Sequence, residues 1–145
     1  MLYFDSNYIL KCYVPEPNAH LVRALAAGPV MKCCSKLGRI EVMAALHRKL
    51  REGSLSRAQF KQVWSHFAVD ESTGVWRWLA FDDTVENVVE QMFHKLDARV
   101  FLRTGDAVHL ATASLHGFNE IHSHDKHLIA AAPAFGLKGV DVLLP

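Results

Sequence analysis

Short strand-like runs alternate with longer segments of helical periodicity along this chain, and the alternation constrains the fold more than any other feature. Strands are predicted at residues 2–4, 30–34, 78–81, 120–123 and 140–144. Helices are predicted at residues 6–13, 19–27, 35–52, 56–69, 82–96, 105–117 and 126–135. Strands that are separated by helices form a mostly parallel sheet that is covered on both faces. The sequence therefore predicts an α/β fold.

The length and composition indicate one globular domain that spans residues 1–145. A chain of 145 residues is too short for two ordinary domains. Half of the residues are hydrophobic and 21% are charged, which is typical of a folded protein. Three cysteines, an odd number, argue against a disulfide framework and favour buried free thiols. The apolar stretch 128–137 is too short to span a membrane, and no signal peptide is visible, so we expect a cytoplasmic protein with no membrane segment.

The charge balance excludes a protein that coats nucleic acid. The formal net charge is only +1, far from the strong basicity such a protein needs. Two local basic clusters remain, one formed by Lys32, Lys36 and Arg39 and the other by residues 47–51. Each is either an ordinary solvated helix face or a nucleic-acid-binding patch.

Two acidic residues come directly after predicted strands. Asp5 follows the first strand, and Asp125 follows the strand near residue 120. In a parallel α/β sheet the carboxyl ends of the strands form the ligand crevice. Both carboxylates are therefore expected at the same edge of the sheet.

Two further acids lie inside predicted helices. Glu41 has Leu37 and Ala44 as near neighbours on its helix, so it lies beside the apolar stripe. A carboxylate in that position is costly unless a cation or a hydrogen-bond donor compensates it. Asp106 lies in the first turn of its helix, where the helix dipole favours negative charge.

Each acid also has an ordinary structural explanation. Asp5 and Asp125 suit helix caps, Asp106 suits the helix dipole, and Glu41 suits an ion pair with a nearby Arg or Lys. Four carboxylates at one edge, however, cannot all stay ionised without a counter-charge. Divalent metal supplies that charge, and oxygen-only ligation suits Mg²⁺ or Mn²⁺ rather than zinc. The same repulsion predicts that Glu41→Gln raises the melting temperature of the metal-free protein.

The segments that contain these acids share their order and residue types with a known family. The chain opens with an apolar strand followed by Asp5 and a serine, and a serine-started helix over residues 35–46 carries Glu41. Residues 102–111 read LRTGDAVHLA, and residues 123–128 read SHDKHL before an alanine-rich helix. Together these segments resemble the PIN-domain ribonucleases, in particular the VapC-like toxins of type II bacterial toxin–antitoxin systems.

The resemblance implies a PIN-like three-layer α/β/α fold and the hydrolysis of RNA phosphodiesters with Mg²⁺ or Mn²⁺. It implies that Asp5, Glu41, Asp106 and Asp125 form the metal and catalytic site. Within that site Asp5 and Asp106 are the expected direct metal ligands, and Glu41 is expected to orient or deprotonate the attacking water. Asp125 completes the acidic ring or supports the other ligands.

Serine and histidine side chains near the acids lead to further expectations. Ser6 and Ser123 are expected to hydrogen-bond the carboxylates. His109 shares a helix face with Asp106 and is interpreted as a core histidine, with a catalytic role as the alternative. A zinc site is another alternative, although no cysteine or acid with metal-site spacing completes it. Its ligands would be His122, His124 and His127.

Two other functions remain open on the same fold. An inactive PIN fold would serve as a protein-interaction module, although the presence of all four acids argues against it. A DNA nuclease would use the same acids, because they contact metal and phosphate rather than the 2′-hydroxyl that marks RNA.

The resemblance also implies protein partners, namely a cognate antitoxin that occupies the groove and a second copy of the chain in a homodimer. The stretch 63–78 is rich in large apolar side chains, including Trp64, Trp76 and Trp78. These tryptophans belong either to the core or to a dimer or antitoxin surface.

Overall fold

Five short strands form the centre of the computed structural model, which describes residues 1–144. They are β1 (Leu2–Tyr3), β2 (Lys32–Ser35), β3 (Trp76–Leu79), β4 (Glu120–His122) and β5 (Lys138–Val140). The first three pair in parallel with one another, and β4 pairs in parallel with β5. One parallel bridge between Phe4 and His122 joins the two groups, so the order across the sheet is β3-β2-β1-β4-β5.

The described residues also form seven α-helices that connect or follow these strands. They are α1 (Ser6–Tyr13), α2 (Ala19–Ala26), α3 (Lys36–Arg51), α4 (Arg57–Ser72), α5 (Asp83–Lys95), α6 (Thr104–Leu115) and α7 (Lys126–Ala131). Predicted caps begin two of them, since Ser35 accepts from the backbone of Leu37 and Ser56 forms a capping box with Gln59. Within residues 1–144, every helix is too short or too polar to cross a membrane.

Neighbouring residues of each strand face opposite sides of the sheet, as strand geometry requires. Tyr3 and Cys33 are fully buried in a cluster with side chains of α5, α6 and α7. Phe4 and Cys34 are fully buried in a second cluster with side chains of α1, α3 and α4. Both cysteines are free thiols, as predicted. Helices therefore cover both faces of a parallel sheet, which confirms the predicted three-layer α/β/α fold.

The third strand begins two residues earlier than the predicted range of 78–81. It spans Trp76–Leu79, and its first and last residues pair with Lys32 and Ser35 of β2. Since β2 ends at Ser35, the ladder ends there too, and the next two residues lead to Asp82, the N-cap of α5. Apolar character alone predicted a strand up to residue 81 but did not indicate where its pairing partner stops.

The prediction of a closing strand at 140–144 was wrong in most of its length. The strand is Lys138–Val140, and the chain turns directly after it. The cause is Asp141, whose Oδ1 accepts from the backbone N–H of Leu143 and from the hydroxyl of Tyr8. An aspartate that binds the backbone two residues ahead forms a turn in place of an extended strand.

The helix predicted at 126–135 is divided in two. The α-helix ends at Ala131, and a single 3₁₀ turn continues from Ala132 to Phe135. Pro133 lacks the N–H that a continuing α-helix needs, which explains the change. Gly136 then ends the turn with a φ of 72°, a conformation that glycine adopts without strain.

The three tryptophans have different environments. Trp76 is buried, and Trp78 is half-buried and stacks on it, so both belong to the core. Trp64 is 37% exposed and packs beside Phe60 on the outer face of α4. Of the three, only Trp64 remains a candidate for a partner surface.

Candidate active site

All four predicted acids line one open cleft of about 850 Å³. Asp5 caps α1 directly after β1, and Asp125 caps α7 shortly after β4. Glu41 lies in the second turn of α3, and Asp106 lies in the first turn of α6. The sequence thus predicted which acids share a cleft, and the helix-cap explanation for Asp5 and Asp125 is correct at the same time.

Asp5 is the most buried of the four acids, with only 4% of its surface exposed. One carboxylate oxygen accepts from the backbone N–H of Tyr8 at 2.8 Å, and the other accepts from the hydroxyl of Ser123. Burial raises the pKa of Asp5 to about 6, although both hydrogen bonds oppose the shift. A carboxyl with such a pKa is costly to ionise, so it favours a nearby positive charge.

Ser123 connects two of the acids. Its hydroxyl donates to Asp5 and accepts from the backbone N–H of Asp125 at 2.9 Å. Ser123 is itself fully buried. The prediction that Ser123 hydrogen-bonds a carboxylate of the site is therefore confirmed.

Glu41 reaches the cleft from α3 with a partly exposed carboxylate. Its Oε2 accepts from Nε2 of His109 at 2.8 Å, so its partner is a histidine rather than the expected Arg or Lys. Burial alone raises the pKa of Glu41, but hydrogen bonds from His109 and Ser6 outweigh burial and lower it. A Cβ on Gly105 would lie only 2.7 Å from Oε1, so glycine at that position lets the carboxylate lie against the start of α6.

His109 is buried below the floor of the cleft, with 2% of its surface exposed. Its Nδ1 lies 3.1 Å from the hydroxyl of Tyr3 and 3.9 Å from Sγ of Cys34. Burial alone lowers the pKa of His109, but Tyr3, Cys34 and Glu41 outweigh burial and raise it well above its usual value. The expectation of a core histidine is correct as to burial, but one edge of the ring contacts a predicted catalytic residue.

Arg103 is a member of the site that the sequence analysis missed. Its Nε donates to Asp106 at 3.0 Å, and its Nη2 donates to Asp125. Burial raises the pKa of Asp125, but the backbone N–H groups at the start of α7 and the charge of Arg103 outweigh burial and lower it. The available signal was its position three residues before Asp106, a spacing that brings side chains together at a helix start.

Basic side chains line the same cleft. Lys11 and Lys49 both bind Glu16, at 2.7 and 2.6 Å. Arg48 and Arg51 are exposed cleft residues of α3. The cleft therefore presents cationic side chains beside its carboxylates, although the chain as a whole is nearly neutral.

Only one of the two predicted basic clusters reaches this cleft, namely the one at residues 47–51. In the other cluster, Arg39 pairs with Glu71, and Lys32 donates to backbone carbonyls at the end of α2. Local contacts therefore occupy both side chains, although Lys32 lies in β2 and not on the solvated helix face that the sequence suggested.

The donor set of the cleft fits a hard divalent cation, because carboxylate oxygens are the ligands that Mg²⁺ and Mn²⁺ prefer. Within residues 1–144, however, no three His, Cys, Asp or Glu side chains are gathered as a ready group of metal ligands. Arg103 accounts for part of this, because it binds both Asp106 and Asp125. The carboxylates are therefore chemically suited to such an ion. In the described structure, hydrogen-bond donors and positively charged side chains of the protein balance their charge.

The three histidines considered as zinc ligands do not form a site. His122 is buried, and its ring packs against Phe4. His124 is exposed and binds Asp141, whereas His127 packs on Phe101. These partners differ because β4 ends between the histidines, and no metal-ligand group of three occurs in the described part of the chain.

A parallel sheet between two helical layers, with an acidic cleft beyond the ends of β1 and β4, defines the structural class of this protein. The model of the PIN domain family matches residues 2–133, and the chain belongs to that family. PIN domains are generally nucleases.

Solved structures show the same fold. FitAcB from Neisseria gonorrhoeae aligns with a TM-score of 0.73 and 17% identity, covering 100% of both chains. VapBC2 from Rickettsia felis, solved bound to a DNA fragment from its promoter, aligns with a TM-score of 0.67 and 12% identity over 97% of this chain and 98% of that chain. A toxin–antitoxin complex from Klebsiella pneumoniae aligns with a TM-score of 0.64 and 19% identity over 97% and 96%. No curated protein matches the sequence.

Proposed function

We propose that this chain is a Mg²⁺- or Mn²⁺-dependent endoribonuclease and the toxin of a toxin–antitoxin pair. The observation that carries the proposal is the presence of Asp5, Glu41, Asp106 and Asp125 in one cleft. They come from four separate segments of the chain, and two of them also cap helices, which fixes their positions. Membership of the PIN domain family supports hydrolysis of a phosphodiester.

In this proposal the four acids have different roles, which follow from their environments. Asp5 and Asp106 would hold the metal directly, and Glu41 and Asp125 would complete the acidic ring around it. A divalent ion held there would supply two effects, a lower pKa of the attacking water and neutralisation of charge on the leaving oxygen. Glu41 orients the attacking water and accepts its proton, a role that suits its ionised and partly exposed carboxylate.

The basic side chains of the cleft support a polyanionic substrate. Arg48 and Arg51 are exposed and have no carboxylate partner within the cleft, so they are free to contact phosphates of the RNA backbone. Lys11 and Lys49 both pair with Glu16, and this shared partner keeps the two lysines in fixed positions. Phosphate contacts of this kind position a nucleic acid without reading its sequence.

The proposed partners are a cognate antitoxin and a second copy of the chain. Two of the similar structures are described as a toxin–antitoxin complex and as VapBC2, which supports an antitoxin for this chain as well. The cleft is open, and Trp64 leaves an aromatic surface exposed on α4. The proposal places the protein in the cytoplasm together with its RNA substrate.

The experiment that tests this function offers the purified protein equal masses of a mixed RNA pool and a mixed single-stranded DNA pool. Each is incubated with Mg²⁺, with Mn²⁺ and with EDTA. We expect RNA fragments with either metal and none with EDTA. Cleavage of DNA alone would favour the DNA nuclease, and no cleavage of either pool would favour an inactive interaction module.

A further inference from the structure

A chain of buried hydrogen bonds leads from the central sheet to the cleft. The backbone N–H of Ser35, at the end of β2, donates to the hydroxyl of Tyr3 at 3.1 Å. That hydroxyl lies 3.1 Å from Nδ1 of His109, and Nε2 of the same ring donates to Glu41 at 2.8 Å. The chain ends at the acid to which the proposed function assigns the attacking water.

The direction of the last hydrogen bond follows from the groups involved. An ionised carboxylate only accepts, so Nε2 of His109 carries the hydrogen and donates it to Glu41. The hydroxyl of Tyr3 keeps Nδ1 occupied whether it donates to this nitrogen or accepts from it. Both ring nitrogens therefore have fixed partners, and the ring cannot flip without losing two hydrogen bonds.

Close packing holds the ring and the carboxylate in this arrangement. A Cβ on Gly38 would lie 2.9 Å from Cε1 of His109, so the ring lies directly against the backbone of α3. A Cβ on Gly105 would lie 2.7 Å from Oε1 of Glu41. Each partner thus occupies a space that only a glycine leaves open.

A buried histidine needs a partner for its ring N–H, and in this structure the partner is an acid of the cleft. Glu41 is long and about one-third exposed, so without a donor its carboxylate would sample several orientations. The donor comes from below, from a ring whose side chain is only 3% exposed. The hydrogen bond from His109 therefore holds the carboxylate of Glu41 at the wall of the cleft.

We propose that His109 is a positioning residue that holds Glu41 toward the cleft, and that Tyr3 holds the ring of His109. Neither residue touches the substrate in this account. The inference rests on the proposed function, because the consequence of positioning is metal binding and cleavage through Glu41.

Three substitutions separate the donor from the shape of the ring. His109→Gln keeps a side-chain N–H that reaches Glu41, whereas His109→Leu keeps apolar bulk and removes the donor. Tyr3→Phe leaves His109 in place and removes the partner of Nδ1. His66→Leu is the matched control, because His66 is exposed on α4 and lies outside the cleft.

The measurements are the dissociation constant for Mn²⁺ by calorimetry, the kcat and KM of RNA cleavage, and the melting temperature of each variant. Mutation of a residue that hydrogen-bonds a metal ligand typically lowers metal affinity or activity by about 10- to 100-fold. We expect His109→Leu to weaken Mn²⁺ binding and to lower kcat by that factor, with KM unchanged. His109→Gln should recover most of the loss, Tyr3→Phe should lose less than His109→Leu, and His66→Leu should match the wild type.

Wild-type Mn²⁺ affinity and kcat in both His109→Leu and Tyr3→Phe would overturn the positioning role. Equal losses in His109→Gln and His109→Leu, with Tyr3→Phe unaffected, would also overturn it, because the ring would then act through its packing.

Asp5→Asn separates these results from a failure of the proposed function. If Asp5→Asn loses Mn²⁺ while the His109 variants keep it, only the positioning role fails. If the wild type binds no Mn²⁺, the proposed function fails and the positioning role with it.

Discussion

The hydroxyl of Ser123 donates to the carboxylate of Asp5 and so connects the last acidic segment of the chain to the first. The two residues are 118 positions apart in sequence, and both are buried. The same hydroxyl accepts from the backbone of Asp125, so one serine aligns two of the four acids. The geometry of the cleft therefore depends on the contact between β1 and β4.

Ser123→Ala should lower the free energy of unfolding by about 1–3 kcal/mol, because it leaves a buried carboxylate without one of its donors. Urea denaturation measures the change. Ser123→Thr is the control, since it keeps the hydroxyl. An alanine variant as stable as the wild type would show that the bond to Asp5 contributes little.

The raised pKa of Asp5 predicts how the stability of the metal-free protein depends on pH. Folding moves this pKa from 3.8 to about 6, so the contribution of Asp5 to stability is full at low pH and is lost as the pH rises through 6. Asp5→Asn stays neutral and keeps a capping side chain. The variant should therefore gain about 2 kcal/mol relative to the wild type between pH 4 and pH 8.

Urea denaturation of both metal-free proteins over this pH range checks the prediction. Titrating groups that lie far from Asp5 are shared by both proteins, so they cancel in the difference between variant and wild type. A difference that does not change with pH would mean that Asp5 ionises as easily in the fold as in the unfolded chain.

The structure reverses the prediction for Glu41→Gln. Like-charge repulsion alone predicted a higher melting temperature for the metal-free variant. Glu41 instead has a lowered pKa because His109 and Ser6 donate to it, so its ionised form stabilises the fold above its usual pKa. We expect a loss of about 1 kcal/mol near neutral pH, since a neutral amide oxygen accepts more weakly. A higher melting temperature for metal-free Glu41→Gln, measured by calorimetry, would show instead that like-charge repulsion dominates at this residue.

Arg103 should weaken metal binding, because its positive charge lies beside Asp106 and Asp125. Arg103→Gln removes that charge and should tighten Mn²⁺ binding by about tenfold, which corresponds to about 1.4 kcal/mol. Calorimetric titration measures the affinity. Arg99→Gln is the control, since Arg99 forms a comparable exposed pair with Asp97 outside the cleft. Weaker binding in the Arg103 variant would show that the guanidinium supports the metal site instead.

Local chemistry made much of the fold predictable from the sequence. Ser35 and Ser56 cap helices as expected, and alternating strands and helices gave the parallel sheet. The ends of β3 and β5 were not predictable in this way. The end of β3 depends on the length of β2, and the end of β5 depends on a turn at Asp141 that Tyr8 stabilises from 133 residues away.

The same division applies to the candidate site. Asp5 and Asp125 could be placed from the sequence because they lie close after the ends of strands, and the cleft contains both. The contacts of His109 with Glu41 and of Arg103 with Asp125 could not, because each joins distant segments of the chain. His109 meets Glu41 across 68 positions, and Arg103 meets Asp125 across 22 positions.

The central claim is that the four carboxylates act together in metal-dependent cleavage of RNA. The most direct test compares initial rates of Mg²⁺-dependent RNA cleavage for the wild type, Asp5→Asn, Asp106→Asn and the control Asp97→Asn, whose acid is exposed outside the cleft. Asp and Asn are close in shape, so we expect each variant to fold. Circular dichroism verifies this. We predict that Asp5→Asn and Asp106→Asn each lose nearly all cleavage while Asp97→Asn keeps the wild-type rate. Cleavage at the wild-type rate by folded Asp5→Asn and Asp106→Asn proteins would contradict the claim.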